Sequence, residues 1–207
     1  MQHSHKSSKH LVCGVSQTGK TTRLIQLLAV HPAPFVFVFD GEGELADRLQ
    51  IDPVDFLNFR AESYAHRVTV CDPAQIAEDA EYLFSLFCSE VMKHGEETGQ
   101  PSLIVVDEFQ RYVGTHAAKI DRAVVDVVER GRRFGVDMLL ATQSPQLIHT
   151  RVRNQLTEIS SFRLVDTRAH LWLEPLGYIG DELRELKDGH YLWRRVGSDH
   201  ATAGTIF

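Results

Sequence analysis

Short apolar runs recur along the chain, and each has the length of one β-strand. Phe35-Val36-Phe37-Val38-Phe39 is apolar at every position, which is typical of a strand buried on both faces of a sheet. Comparable runs predict strands over residues 11–13, 67–71, 103–106, 136–141 and 159–165. The tail predicts a closing pair of strands over residues 189–195 and 201–207.

Stretches with helical periodicity lie between these runs. Over residues 74–93 the apolar side chains recur at the spacing of one helical face, and Gly95 stands where a C-terminal cap is expected. Similar patterns predict helices over residues 21–29, 44–49, 53–58 and 119–133. Strands that alternate with helices predict an α/β fold, namely a mostly parallel sheet covered by helices on both faces, with a C-terminal strand pair.

The first residues differ in character from the rest of the chain. They are polar, and His3, His5 and His10 stand among serine and lysine side chains. Histidines can bind a metal ion, but no second set of ligands accompanies them, which favours a solvated tail. We therefore predict a disordered tail over residues 1–9 and a single domain over residues 10–207.

Composition restricts the class of protein further. The 207 residues are 43% hydrophobic and carry a formal net charge of −6. These values suit one sizeable soluble domain and argue against bulk electrostatic coating of nucleic acid. No apolar run approaches the roughly 18 residues of a membrane span, and no secretory signal is apparent. The 3 cysteines, widely spaced, predict reduced thiols in a cytosolic protein.

One motif predicts a ligand. Residues 14–21 read Gly-Val-Ser-Gln-Thr-Gly-Lys-Thr and fit the phosphate-binding pattern G-x-x-x-x-G-K-[ST]. In such a loop backbone N–H groups converge on the phosphates, and the following helix directs its positive end at the anion. Lys20 would reach the β- and γ-phosphate oxygens, and the Thr21 hydroxyl would bind Mg²⁺. The predicted ATP site consists of Gly14, Ser16, Gln17, Thr18, Gly19, Lys20, Thr21 and Thr22.

Parallel strands end at one edge of a sheet, and ligands bind at that edge. Polar residues follow four of the apolar runs and should converge there: Gly14, Asp40, Asp107-Glu108 and Thr142-Gln143. Asp107 is predicted to hold Mg²⁺ through the water shell of the ion. Glu108 is predicted to orient the attacking water toward the γ-phosphate, and this second acid favours hydrolysis over phosphoryl transfer to a small acceptor.

Two further features each allow two interpretations. The amide of Gln143 either donates to the γ-phosphate or the attacking water, or only closes its strand. Residues 130–133 read Arg-Gly-Arg-Arg at the end of a predicted helix, where the helix dipole favours basic side chains. Three arginines within four residues exceed that need. We therefore predict that Arg130 or Arg133 acts in trans and stabilises charge on the γ-phosphate of a neighbouring subunit.

Together these motifs resemble the HerA–FtsK superfamily of DNA-pumping ATPases over roughly residues 10–195. Residues 14–21 are similar to its Walker A motif, and residues 103–108 to its Walker B motif with the glutamate. Residues 129–136 and 141–145 are the most specific stretch, since that superfamily has a similar Gly-Arg-basic-Phe/Tyr-Gly element before a strand ending in Ala/Ser-Thr/Ser-Gln-x-Pro. The resemblance implies a RecA-like P-loop ATPase core that uses ATP and Mg²⁺.

The resemblance also implies partners. Members form rings, usually hexamers, around double-stranded DNA, and an arginine of the next subunit completes each ATP site. The short chain without a predicted membrane span is similar to the genome-packaging ATPases of tailless icosahedral viruses with an internal membrane. We therefore expect double-stranded DNA, ring formation and a capsid or portal-vertex protein, in the host cytoplasm or at the packaging vertex of the virion. Arg111, Lys119 and Arg122 are candidates for DNA contacts, or else belong to a solvated helix face.

Two other functions stay open at this point. A filamentous-phage assembly ATPase that acts on virion proteins shares both Walker elements, although such proteins usually carry a membrane segment. A small-molecule kinase needs an arginine-rich lid and an acceptor pocket, and it does not require both Glu108 and Gln143. The sequence favours an ATP-hydrolysing motor that translocates double-stranded DNA, with packaging of a viral genome into a preformed capsid as its most specific form.

Overall fold

A computed structural model describes residues 7–62, 67–73, 79–113 and 120–207. Within these ranges nine strands form one sheet. They are β1 (Lys9–Cys13), β2 (Phe35–Phe39), β3 (Val54–Asp55), β4 (Val68–Asp72), β5 (Ser102–Val106), β6 (Val136–Thr142), β7 (Glu158–Ser161), β8 (His190–Arg195) and β9 (Thr202–Thr205). The helices are α1 (Lys20–Val30), α2 (Glu44–Leu49), α3 (Phe56–Glu62), α4 (Ala80–Thr98), α5 (Arg122–Arg130), α6 (Thr150–Arg153), α7 (Thr167–Leu173) and α8 (Gly180–Glu185).

The sheet has the strand order β3-β4-β2-β5-β6-β1-β7-β8-β9. Strands β1 to β7 are parallel, whereas β8 and β9 extend the β7 edge in antiparallel pairing. Because β5, β6 and β1 are adjacent, the segments that follow them meet at one edge of the sheet. The predicted mostly parallel sheet with a C-terminal strand pair is confirmed.

Successive residues of β2 point to opposite faces of the sheet and enter two separate cores. Phe37 and Phe39 belong to the core that also holds side chains of α4, α5, α7 and α8, while Val36 and Val38 belong to the core with α1 and α2. Helices therefore cover both faces, as predicted. This double cover fixes the strand ends that carry the candidate site.

Helix α4 differs from its prediction at both ends. It begins at Ala80, and residues 74–78, where the predicted helix starts, lie outside the described residues. Gly99, with a φ of 64°, is the C-cap, so the prediction of a cap at Gly95 was wrong. Gly95 lies inside the helix, where a Cβ atom would come within 2.7 Å of the Phe134 carbonyl oxygen. This glycine allows close packing and does not end the helix.

Two other predicted elements keep their type but change their length, and one is partly of another type. The helix predicted over residues 119–133 is α5, and it is followed by a 3₁₀ turn at Gly131–Phe134. The strand predicted over residues 159–165 ends at Ser161, because Leu164 donates its N–H to the Leu183 carbonyl oxygen of α8 at 3.1 Å. The helix predicted over residues 53–58 is the short strand β3 followed by α3.

The described chain joins the sheet earlier than the predicted boundary after residue 9. Ser8 donates its backbone N–H to Asp137 Oδ1 at 2.7 Å, and β1 begins at Lys9. His10 is 3% exposed, with its Nε2 atom 2.8 Å from Ser160 Oγ, and burial lowers the pKa of His10 to about 3. His10 is thus a neutral core residue, whereas His3 and His5 lie outside the described residues. The division into one tail and one domain stays a prediction.

Two further expectations concern cysteines and membrane spans. Cys13, Cys71 and Cys88 are all buried and none is in a disulfide, as predicted for reduced thiols. Among the helices that the structure describes, none has both the length and the apolar character needed to cross a bilayer.

Candidate active site

The phosphate loop leads from β1 into α1 and is closely packed at both of its motif glycines. A Cβ atom at Gly14 would lie 2.6 Å from Phe162 Cβ, and one at Gly19 would collide with the Ile206 side chain. Gly19 also has a φ of 108°, a conformation that L side chains rarely adopt. Both glycines are therefore required by the conformation and packing of the loop.

Helix α1 directs its N-terminus into a cleft that the phosphate loop lines together with Asp107, Glu108 and Gln143. No side chain among the described residues caps this helix, so the N–H groups of its first turn are available to an anion. Lys20 is 6% exposed, and its Nζ donates to the Val15 carbonyl oxygen at 3.0 Å. Burial lowers the pKa of Lys20, while the carboxylates of Glu108 and Asp107 oppose the shift. A desolvated ammonium group at a helix N-terminus is well placed to bind phosphate.

Thr21 and Asp107 form the candidate magnesium site. The Thr21 hydroxyl donates to Asp107 Oδ2 at 3.0 Å across the cleft. Burial raises the pKa of Asp107, and hydrogen bonds from the Glu108 backbone and the Thr21 hydroxyl oppose this shift. A cation at this position would favour the ionised carboxylate, and a hydroxyl with a carboxylate is an oxygen set that suits Mg²⁺. The residues present therefore fit the predicted ion.

Both carboxylate oxygens of Glu108 are held by amide groups. Gln143 Nε2 donates to Oε1 at 2.6 Å, and Gln110 Nε2 donates to Oε2 at 2.5 Å. The Glu108 backbone has a φ of 47° and a ψ of 41°, which is uncommon for a residue with a side chain. Its N–H group donates to Asp107 Oδ1 at 2.8 Å. The carboxylate is thus fixed in orientation beside the phosphate loop, in contact with Gln143 as the strand-end pattern predicted.

Gln110 is a site residue that the sequence interpretation missed. Its Oε1 atom accepts a hydrogen bond from the Thr142 hydroxyl at 2.5 Å, and Thr142 Oγ1 accepts the Ser144 N–H at 3.0 Å. The Gln110 amide therefore connects the end of β6 to Glu108. Residues 109–111 form a 3₁₀ turn, and this turn returns the side chain two positions after the glutamate to the glutamate itself.

The cleft has a volume of about 760 Å³ and contains two ion pairs that were not predicted as parts of the site. Arg111 pairs with Glu42. Arg48 lies 2.9 Å from Glu44 and also donates to Thr22 Oγ1 at 3.2 Å. All four charged side chains line the cleft. Glu42 holds the Arg111 guanidinium group at the cleft, and a contact of Arg111 with DNA stays a prediction.

Asp40 does not line the cleft as the strand-end pattern suggested. It is 2% exposed and accepts the Ala46 N–H at 2.8 Å, so it stabilises the start of α2. Burial raises the pKa of Asp40, and backbone hydrogen bonds from Ala46, Gly43 and Leu45 oppose that shift. The glutamates that follow in the same loop line the cleft instead.

The arginine cluster lies at the opposite edge of the sheet. Arg130 and Arg133 precede β6, whereas Gln143 follows it, so the two arginines lie at the amino end of the strands. Arg130 pairs with Asp126 at 3.4 Å, and both arginines are exposed. Neither contacts the phosphate loop of its own chain, so a role for either in trans stays a prediction. Lys119 lies outside the described residues.

The fold and the cleft define a P-loop ATPase core of the RecA-like class. No curated protein sequence matches the chain. The family model of the zonular occludens toxin (Zot) matches residues 9–165, which is more than half of the chain. The protein belongs to this family.

Several solved structures have the same fold. The genome-packaging NTPase B204 of Sulfolobus turreted icosahedral virus 2, in complex with ATP-gammaS, has a TM-score of 0.74 and 16% identity over 97% of this chain and 98% of its own. VirB4 of Thermoanaerobacter pseudethanolicus has a TM-score of 0.68 and 11% identity over 96% and 89%. The N-terminal domain of the Neisseria meningitidis zonular occludens toxin has a TM-score of 0.51 and 15% identity over 96% and 93%. These likenesses confirm the fold, and together with the Zot family match they support the resemblance to P-loop ATPases.

Proposed function

We propose that the protein hydrolyses ATP and uses this reaction to translocate double-stranded DNA, most specifically to package a viral genome into a preformed capsid. The observation that carries the proposal is the fixed Glu108 carboxylate, which two amides hold at 2.5 and 2.6 Å beside the phosphate loop. A water molecule that attacks the γ-phosphate needs an oriented acceptor of this kind. A protein that only binds nucleotide does not.

In the proposed reaction Lys20 and the N-terminus of α1 bind the β- and γ-phosphates, while Thr21 and Asp107 hold Mg²⁺. When bound, Mg²⁺ neutralises charge on the phosphate oxygens. Glu108 accepts a proton from the attacking water as the bond to the γ-phosphorus forms and the bond to the leaving ADP oxygen breaks. That proton later passes to phosphate or solvent.

Gln143 links this reaction to the presence of the γ-phosphate. Its Nε2 atom donates to Glu108 at 2.6 Å, and a phosphate oxygen would compete for the same donor. The amide therefore has two possible acceptors, and the identity of the acceptor differs before and after hydrolysis. Such an exchange gives the site a way to signal the state of the nucleotide to β6.

Ring formation is supported by the positions of the arginine cluster and the cleft at opposite edges of the sheet. A head-to-tail contact would bring Arg130 or Arg133 of one subunit to the phosphate loop of the next, and repeated contacts of that type can close into a ring. The resemblance implies a hexamer. The net charge of −6 suits a motor that must release DNA in every cycle. Arg122, whose side chain is 90% exposed, is a candidate for a focal contact.

The packaging role is supported by the likeness to B204, which is described as a DNA-packaging ATPase. The proposal therefore includes a capsid or portal-vertex protein as partner, and the host cytoplasm or the packaging vertex of the virion as location. A second candidate, phage assembly through an action on virion proteins, is supported by membership of the Zot family, which is also related to phage assembly. A small-molecule kinase has less support, because the held Glu108 favours water as acceptor.

The test is the rate of ATP hydrolysis by the purified protein with and without double-stranded DNA, with Glu108→Gln as the inactive control. Stimulation by DNA that is absent in the control supports the motor. Stimulation by purified virion proteins and not by DNA favours the second candidate. Transfer of phosphate to a small acceptor would overturn both.

A further inference from the structure

The residues after β9 close one side of the nucleotide cleft. Ile206 donates its backbone N–H to the Gly189 carbonyl oxygen at 3.0 Å, and Gly189 donates its N–H to the Thr18 carbonyl oxygen of the phosphate loop at 3.0 Å. Gln26 of α1 donates its side-chain amide to the Ile206 carbonyl oxygen at 3.1 Å. These contacts hold the end of β9 against the loop and the helix that follows it.

The strand order determines which end of a nucleotide faces this segment. Glu108 and Gln143 follow β5 and β6, which lie on one side of β1, whereas β7, β8 and β9 lie on the other side. Both β8 pairings are antiparallel, so β9 runs in the same direction as β1 and ends at the same edge of the sheet. If the γ-phosphate faces Glu108, the nucleoside must extend toward the end of β9.

The side chains at the end of β9 suit an aromatic ligand. Ile206 packs against Gly19 of the phosphate loop, and the Phe207 ring packs against Gly189. Both side chains line the cleft, yet Phe207 is 89% exposed, so most of its ring surface has no protein cover among the described residues. From these contacts we propose that Ile206 and Phe207 form the surface on which the purine base of the nucleotide stacks. The proposal rests on nucleotide binding at this cleft and names the part that binds the base.

A surface of this kind has a defined specificity. Ring stacking and an aliphatic contact recognise the face of a base and not the hydrogen-bonding groups at its edge. The site should therefore distinguish a nucleoside triphosphate from inorganic tripolyphosphate, and should distinguish ATP only weakly from GTP.

The experiment compares two ligands on the full chain by titration calorimetry in the presence of Mg²⁺. The ligands are a non-hydrolysable ATP analogue and inorganic tripolyphosphate, which carries the phosphates without a base. Phe207→Ala should weaken binding of the ATP analogue about tenfold, within the range that base–aromatic stacking contributes. Tripolyphosphate affinity should stay within about twofold, since the phosphates are bound elsewhere. Phe207→Tyr, which keeps the ring, should bind both ligands like the wild type.

Leu171→Ala is a suitable control, because Leu171 is an apolar side chain on α7 that is 62% exposed and lies outside the cleft. It should change neither affinity. Equal weakening of both ligands by Phe207→Ala would show that the ring only supports the loop, and unchanged binding of the ATP analogue would show no contact with the base. Either result overturns the inference and leaves the proposed hydrolysis intact. A wild-type protein that binds neither ligand would instead overturn the proposed function and the inference with it.

Discussion

Gln110 offers a sharp test of how Glu108 is oriented, because it contacts the glutamate without belonging to the Walker motifs. Gln110→Leu keeps a side chain of similar size but removes the donor to Glu108 Oε2 and the acceptor of the Thr142 hydroxyl. Gln143 would still hold the other carboxylate oxygen. We therefore expect a carboxylate that is present and charged but less restricted in orientation.

The size of the effect follows from the hydrogen bond that is lost. A bond between a neutral donor and a charged acceptor contributes about 1.5–3 kcal/mol, and each 1.36 kcal/mol in the barrier is a factor of ten in rate. If this hydrogen bond stabilises the transition state and not the bound substrate, its loss should lower kcat about tenfold to 150-fold. The KM for ATP should change little, because Gln110 is not among the residues expected to bind the phosphates.

Steady-state ATP hydrolysis measures both constants. Gln146→Leu is the matched control, because Gln146 also donates its amide to a carboxylate, Asp166 at 2.9 Å, away from the cleft. In the Glu108→Gln background the Gln110→Leu change should have little further effect, since the two residues act through one carboxylate. An unchanged kcat, a rise in KM alone, or full additivity with Glu108→Gln would refute the positioning role of Gln110.

Three other experiments test separate parts of the site. Glu108→Gln should retain ATP binding and lower turnover about 100-fold or more, as expected for loss of a general base; unchanged turnover by single-turnover kinetics would remove Glu108 from that role. Lys20→Met should abolish ATP binding yet raise the melting temperature of the nucleotide-free protein at pH 7, because burial lowers the pKa of Lys20 and so disfavours its charged form. This difference in melting temperature should shrink once the pH exceeds the lowered pKa, because the Lys20 side chain of the folded wild type then loses its proton, and it should vanish above the ordinary pKa of 10.5. A lower melting temperature of Lys20→Met at pH 7 would show that the buried charge does not destabilise the fold. Mixing an Arg130→Ala or Arg133→Ala variant with Lys20→Met should restore part of the ATPase activity, because some sites then combine an intact lysine with an intact arginine of the neighbouring subunit. Recovery with neither arginine variant would count against both residues.

The sequence was most informative where one local pattern determined the structure. The continuous apolar run of β2 and the glycine pattern of the phosphate loop each specify a local conformation. The strand-end rule also brought Glu108 and Gln143 together correctly. It failed for Asp40, because the carboxylate that follows β2 is used by the backbone of α2.

Long-range contacts explain most of what the sequence did not reveal. Gln110 depends on the geometry of a 3₁₀ turn, and Gly95 on the approach of Phe134 from a distant segment. Ile206 reaches the phosphate loop only because two antiparallel strands return the chain to that edge of the sheet. Neither periodicity nor motif spacing contains that information, since both are properties of short stretches of chain.

We propose that ATP hydrolysis at this cleft moves double-stranded DNA, and displacement of a third strand from a DNA triplex reports such movement. We expect the protein to release the third strand with ATP. Glu108→Gln, which should bind ATP without hydrolysing it, should not release the strand. ATP hydrolysis by the wild type at a rate unaffected by DNA, with no release of the third strand, would show that the protein does not translocate DNA.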